Sequence, residues 1–330
     1  MTGNLEYESK YQRKIDNILA SNRNLYGFYS FIGDKSISTI YNYLLDVNSF
    51  LLYIENKPSN KLNVDDFAGY MMKIQKNRNG EKTTSSYRIA VYSALKKYGK
   101  YLVASNQLEK NPMDFIDRPK PVENQKTVAK REIGYLSKKE IPKYVTAVEY
   151  GVGTIRSRKR QKEWKERDMA IIMIFLNTGI RCSALMKIDI DSIDFENKIL
   201  TVTDKESNVN IYELSTELLD IIKSWMVKRD EILDGKKVDA LFISNRKTRM
   251  DQGSIYKIVN KYASNINGKH ITPHKLRATY GTQLYNATKD IYFVQECMKH
   301  SNPKTTELYI RGNRNQTKEA SDIMKNITMK

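Results

Sequence analysis

The sequence predicts a mainly α-helical protein with one small antiparallel β-sheet in its C-terminal half. Three observations carry that prediction. Apolar residues recur at helical spacing across residues 39–105. One segment, NKILTVTDKESNVNIYELS (197–215), alternates like two strands around a polar turn at Ser207-Asn208. The proline-bearing, charged stretch DRPKPVENQKTVAKREIG (117–134) separates the two regions as a linker.

Residues 1–27 read as an N-terminal extension, and residues 28–116 as a helical domain. In TIYNYLLDVNSFLLYI (39–54), Ile40, Leu44, Val47, Leu51 and Ile54 step by four and three, which places them on one helix face. A second helix begins near Asn63 and carries Phe67, Tyr70, Met71 and Ile74. A third, over 85–105, carries Ile89, Tyr92, Leu95, Tyr98 and Leu102, and Asn111-Pro112 stops the short helix after it.

The second domain is expected over 135–312. Ser137 and Glu140 form a capping-box pattern with Leu136 as its staple. RSRKRQKEWKER (156–167) holds seven basic and two acidic residues and reads as a basic loop; Arg156, Arg158, Lys159, Arg160 and Lys162 are its candidate DNA contacts. The helix RDMAIIMIFLNTGIRCSAL follows it. A further strand is expected at ALFIS (240–244), with the remainder helical. Residues 313–330 are expected to form a tail helix, from the stripe Ala320, Ile323, Met324 and Ile327.

Composition narrows the partner. The net charge is +18, in a chain that is 40% hydrophobic and 28% charged. A globular chain this basic is attracted to polyanions, and nucleic acid is the expected partner. No run approaches the ~18 apolar residues of a membrane span, and no apolar signal-peptide core opens the chain. Cys182 and Cys297 form no CxxC pattern, which indicates a reduced, cytoplasmic protein without a zinc site. Neither a Walker loop nor a GxGxxG fingerprint is present, and no cofactor is expected.

The chemistry-bearing segments are TGIR (178–181), TDKE (203–206), HKLR (274–277) and HSNPKTTELY (300–309). A phosphodiester repels nucleophiles, so attack needs fixed positive groups around its non-bridging oxygens. Arginine suits this because its planar fork bonds two oxygens and stays charged. His274 precedes Arg277 by three residues, which puts both on one helix face. Thr272 and Pro273 read as N-cap and first-turn residues, which places the pair at a helix N-terminus, an end favourable to phosphate.

These segments, in this order and spacing, resemble the tyrosine recombinase family, also called the phage integrase family. The resemblance covers about residues 28–312. It implies a helical, SAM-like core-binding domain followed by an α+β catalytic domain, closing as a C-shaped clamp on duplex DNA. Arg181 then corresponds to the first clamp arginine, Lys205 to the hairpin general acid, and His274 and Arg277 to the histidine-x-x-arginine element. His300 corresponds to the later histidine, and Tyr309, nine residues on, to the nucleophile. The reaction implied forms a 3′-phosphotyrosine and needs neither metal nor ATP. Four protomers would hold two DNA sites, each of inverted half-sites, exchange strands through a Holliday junction, and donate tail helices to neighbours. An accessory DNA-bending or directionality protein is a further expected partner. The protein would work in the cytoplasm on the nucleoid.

Three positions depart from the family pattern. Ala184 stands where an acidic residue is usual, Lys299 where glycine usually precedes the later histidine, and Asp204 and Glu206 flank Lys205 where glycines are common. The Lys-, Asn- and Ile-rich composition leans toward the integrase of a mobile element. A Xer-type resolvase of replicon dimers and a non-catalytic DNA-binding relative are the alternatives.

Overall fold

The structure, a computed structural model, describes residues 2–121, 134–203, 209–266 and 269–299. The chain divides into two compact units, Met1–Asn124 and Gln125–Lys330.

The first unit is helical: α1 (Thr2–Ser21), α2 (Tyr26–Phe31), α3 (Ile37–Tyr53), α4 (Val64–Lys73) and α5 (Ser85–Ala104). The apolar faces expected of α3, α4 and α5 bury Leu44, Val47, Phe67, Leu95 and Leu102 in one core. Asn63 and Asp66 complete a capping box at the start of α4, a device that contributes about 1 kcal/mol. Two expectations change. Residues 1–27 are not an appendage, because Ile15, Leu19 and Leu25 are buried in the same core as Phe28. Asn111-Pro112 opens a 3₁₀ turn, Pro112–Phe115, rather than ending a helix. The Asn111 side chain accepts from Met113 N–H and donates to Lys96 O. It fills the space a Cβ on Gly99 would need, 1.9 Å from its Oδ1.

The second unit contains α6 (Glu140–Tyr150), α7 (Ile155–Lys162), α8 (Lys165–Thr178), α9 (Cys182–Leu185), α10 (Thr216–Leu233), α11 (Gln252–Lys261), α12 (Pro273–Thr288) and α13 (Ile291–Cys297). At its centre, α8 buries Ala170, Ile171, Ile172, Ile174 and Phe175 completely and packs on α10 and α12. An antiparallel sheet runs in the order β1 (Ile193–Asp194), β2 (Ile199–Thr203), β3 (Val209–Glu213). Leu200 faces Tyr212 across the hairpin, and Leu200 and Val202 turn inward.

Three expectations are corrected here. Residues 240–244 are not a strand: the described residues show only isolated bridges at Ala240 and Ile243. Side chains take the carbonyls that a ladder would use. Arg229 bonds Val238 O and Ala240 O, Trp225 bonds Leu241 O, and Arg167 bonds Ile243 O. The helix expected across 167–185 ends at Thr178, where Gly179 adopts φ +59°, and α9 restarts after Arg181. The basic run 156–167 is not a loop, since α7 and the start of α8 span most of it. Arg167 is buried there on Asp168, which Lys261 and Tyr262 also bond.

Candidate active site

The TGIR segment is shaped by its threonine and glycine. Thr178 Oγ1 donates to Ile174 O and accepts from Ile180 N–H. Gly179 closes α8 in the left-handed region, and its N–H returns to Phe175 O, the helix ending that glycine favours for want of a Cβ. A Cβ there would fall 2.4 Å from the Tyr280 ring. The reversal places Arg181 at the N-cap of α9 in extended geometry.

The second arginine comes from α12. Thr272 caps that helix by accepting from Lys275 N–H, with Pro273 in its first turn. His274 and Arg277 follow one turn apart. Arg277 is buried, at 4% exposure, and donates to Gly179 O and Met298 O. Arg181 is half-buried and donates to Lys299 O at 3.1 Å. The two guanidinium groups therefore converge on consecutive carbonyls at the end of α13. Consecutive Cα atoms are about 3.8 Å apart, so both cations meet at one turn. Carbonyls at a helix C-terminus lack intrahelical partners and carry partial negative charge, which suits cations.

That turn has its own strain. Lys299 adopts φ +52°, a conformation natural to glycine and costly to a side-chain residue. The anchoring carbonyls are backbone groups and carry no signal in residue type. The one sequence sign was Lys299 itself, standing where glycine is usual.

His274 is exposed at the α12 N-terminus. Partial burial of its ring, then the nearby Arg277 charge, hold its pKa below the ordinary imidazole value of 6.5. A neutral imidazole beside the Arg277 guanidinium can take a proton from a nucleophile. The thiols offer no competing nucleophile: burial pushes Cys182 up to about 12 and raises Cys297 as well, which keeps both protonated.

Of the six catalytic candidates, the structure brings Arg181, His274 and Arg277 together; Lys205, His300 and Tyr309 lie outside the described residues, as does the tail stripe 320–327. Arg156, Arg158, Lys159, Arg160 and Lys162 are all exposed on α7. Among the described residues, no group of three or more His, Cys, Asp or Glu could hold a metal, and no helix is long and apolar enough to cross a membrane.

The chain is 27% identical over 306 residues to tyrosine recombinase XerC of Natranaerobius thermophilus, covering 88% of this chain and 94% of that protein. It is 28% identical to tyrosine recombinase XerS of Streptococcus thermophilus, covering 84% and 78%. The fold is similar to XerH recombinase bound to palindromic difH substrate, with TM-score 0.69, 18% identity and 95% and 89% coverage. It is also similar to a lambda integrase dimer on a COC′ core site, with TM-score 0.60, 15% identity and 93% and 96% coverage. The fold is that of tyrosine recombinases, enzymes that cleave and rejoin DNA. The model of the phage integrase family matches residues 135–316, more than half of the chain, and the chain belongs to that family.

Proposed function

We propose that this enzyme is a site-specific recombinase whose nucleophile is Tyr309. Its phenolate oxygen attacks the phosphorus, the bond from phosphorus to the 5′-oxygen breaks, and a 3′-phosphotyrosine forms. His274 takes the tyrosine proton, and Lys205 gives a proton to the departing 5′-oxygen. Arg181, Arg277 and His300 hold the non-bridging oxygens, whose charge grows in the transition state. Energy stored in the phosphotyrosine drives rejoining when a 5′-hydroxyl from the partner strand attacks it. The observation that carries this reading is the convergence of Arg181 and Arg277 on the Met298–Lys299 turn with His274 one helical turn from Arg277. Fixed cations stabilise the charge that grows on a transferring phosphoryl group, and a nearby imidazole can accept the proton of an attacking hydroxyl.

Duplex DNA with inverted half-sites is the proposed substrate. Four protomers would act on two sites in the cytoplasm on the nucleoid, coupled by exchanged tail helices and assisted by a DNA-bending or directionality protein. The exposed cations of α7 serve as DNA contacts. The Lys-, Asn- and Ile-rich composition favours mobilisation of a genetic element; dimer resolution is the second reading, favoured by the similarity to XerC and XerS.

Covalent capture tests this. Cells expressing the chain are denatured rapidly, DNA attached to the protein is isolated, and its ends are sequenced beside Tyr309→Phe. Ends clustered at one site, and absent in the Phe variant, are expected. An adduct persisting in Tyr309→Phe refutes the nucleophile. Sites at element ends support the mobile-element role, and a single chromosomal site supports dimer resolution.

A further inference from the structure

We propose that α7 is a major-groove reading helix in which Ile155 meets the 5-methyl group of a thymine. Lys159 would contact a guanine about two base pairs away, because four helical residues rise about 6 Å and base pairs stack about 3.4 Å apart. This rests on duplex DNA being the substrate.

The surface is unusual in three respects. First, five of the eight residues of α7 are cations, all exposed, and none forms an ion pair among the described residues. Unpaired cations at this density favour a polyanion. Second, their placement around the helix is ordered. Ile155 and Lys159 follow at i and i+4 and line the middle of the outward face. Arg156 and Arg160 line one flank and Arg158 and Lys162 the other, while Ser157 and Gln161 face inward. A helix lying along one DNA strand would use one flank. Cations on both flanks with an apolar residue between them match a major groove, which is about 12 Å wide and admits a helix. Ile155 is 90% exposed, so nothing in its own unit uses it, and an apolar side chain in that groove can recognise a thymine methyl.

Third, α7 is fastened. Gln161 is buried, at 6% exposure. Its side chain accepts from Val152 N–H and donates to Val152 O and to Ser157 Oγ. Thr154 caps the helix on Ser157 N–H, and Arg158 Nε donates to Gly153 O. Gly151 and Gly153, both at positive φ, make the turn leading in. A merely solvated charge run needs no such socket, whereas a reading helix gains from being preorganised. A membrane surface is a poorer fit, because an interfacial helix needs a broad apolar face and Ile155 is the only large apolar residue in α7.

The test selects bound sequences from a random duplex library with the full wild-type chain, Ile155→Ala, Lys159→Gln and a control, Val227→Ala, another exposed apolar residue. The wild type and Val227→Ala are expected to select one motif. Ile155→Ala should lose a thymine at one position, and Lys159→Gln a guanine about two base pairs from it. Replacing that thymine by uracil, which removes only the methyl, should weaken wild-type binding about fourfold and leave Ile155→Ala unchanged. Separately, Arg156→Gln with Arg160→Gln should reduce the log–log salt slope by about 1.8, at about 0.9 per phosphate. Lys236→Gln with Lys237→Gln removes the same charge from another exposed site and should not reproduce that loss. An unchanged motif in Ile155→Ala, thymine included, overturns the proposal while leaving DNA binding intact. A wild-type chain that binds no duplex overturns the reading of DNA as substrate.

Discussion

Replacing Gly179 with alanine tests how the two clamp arginines are held. Gly179 sits at φ +59°, ψ +20°, where an L-residue costs about 1–2 kcal/mol. The added Cβ would lie 2.4 Å from Tyr280 Cδ1 and 3.1 Å from two further ring atoms, well inside the ordinary carbon separation of about 3.5–4.0 Å. Tyr280 is partly buried and packed against the cluster of Tyr285, Val294 and Met298, so relief must come from backbone movement, at about 1–3 kcal/mol. The two terms together are about 2–5 kcal/mol, a large share of a typical domain stability of about 5–15 kcal/mol. Both tryptophans, Trp164 and Trp225, lie in the second unit, so tryptophan fluorescence during urea unfolding reports on that unit alone. Tyr280→Ala in the Gly179→Ala background removes the clash but not the backbone term. A coupling of about 1–3 kcal/mol between the two substitutions is expected. DNA cleavage should fall as well, because Gly179 O is an acceptor for Arg277. A loss below about 1 kcal/mol, or additivity of the two substitutions, would mean that neither the backbone conformation nor the ring contact constrains this turn.

Three further outcomes follow from the same turn and helix. Lys299→Gly keeps the carbonyl that Arg181 uses and relieves the left-handed strain, so the second unit should gain about 1 kcal/mol; a lower urea midpoint would contradict this. His274 has a depressed pKa, so the unfolded chain binds more protons than the folded one just below pH 6.5. Stability from this group is therefore full above 6.5 and is lost as pH falls through the lower folded value. An NMR titration of its ring, assigned with His274→Gln, should show a midpoint below 6.5, and one at or above 6.5 would sink the argument. Ala184 is 2% exposed, and Arg181 already has the Lys299 carbonyl. Ala184→Glu should thus lower cleavage by burying a carboxylate; a tenfold gain, about 1.4 kcal/mol, would mean that Arg181 lacks an orienting group.

Much of the architecture could be read from residue order because its causes are local. The stripe Ile40, Leu44, Val47, Leu51 can bury itself only as a helix face, and it does. The alternation across 199–213 produced the β2–β3 hairpin, and Thr272-Pro273 capped α12 as their side-chain chemistry directs. The failures share a different cause. ALFIS has strand composition, yet Arg229, Trp225 and Arg167 take its carbonyls from distant elements. The run through TGIR continues in helical pattern, yet Gly179 breaks it against a Tyr280 ring a hundred residues away.

Residue types alone set the chemical inventory: which side chains stay charged, which can carry a proton, and which segments present them at helix ends. That Arg181 and Arg277 share one turn follows from the folded arrangement, because what unites them is a pair of backbone carbonyls, at Met298 and Lys299. A carbonyl is the same in every residue. Its partner is set by where the chain folds back, and that depends on packing across the whole unit rather than on the letters beside it.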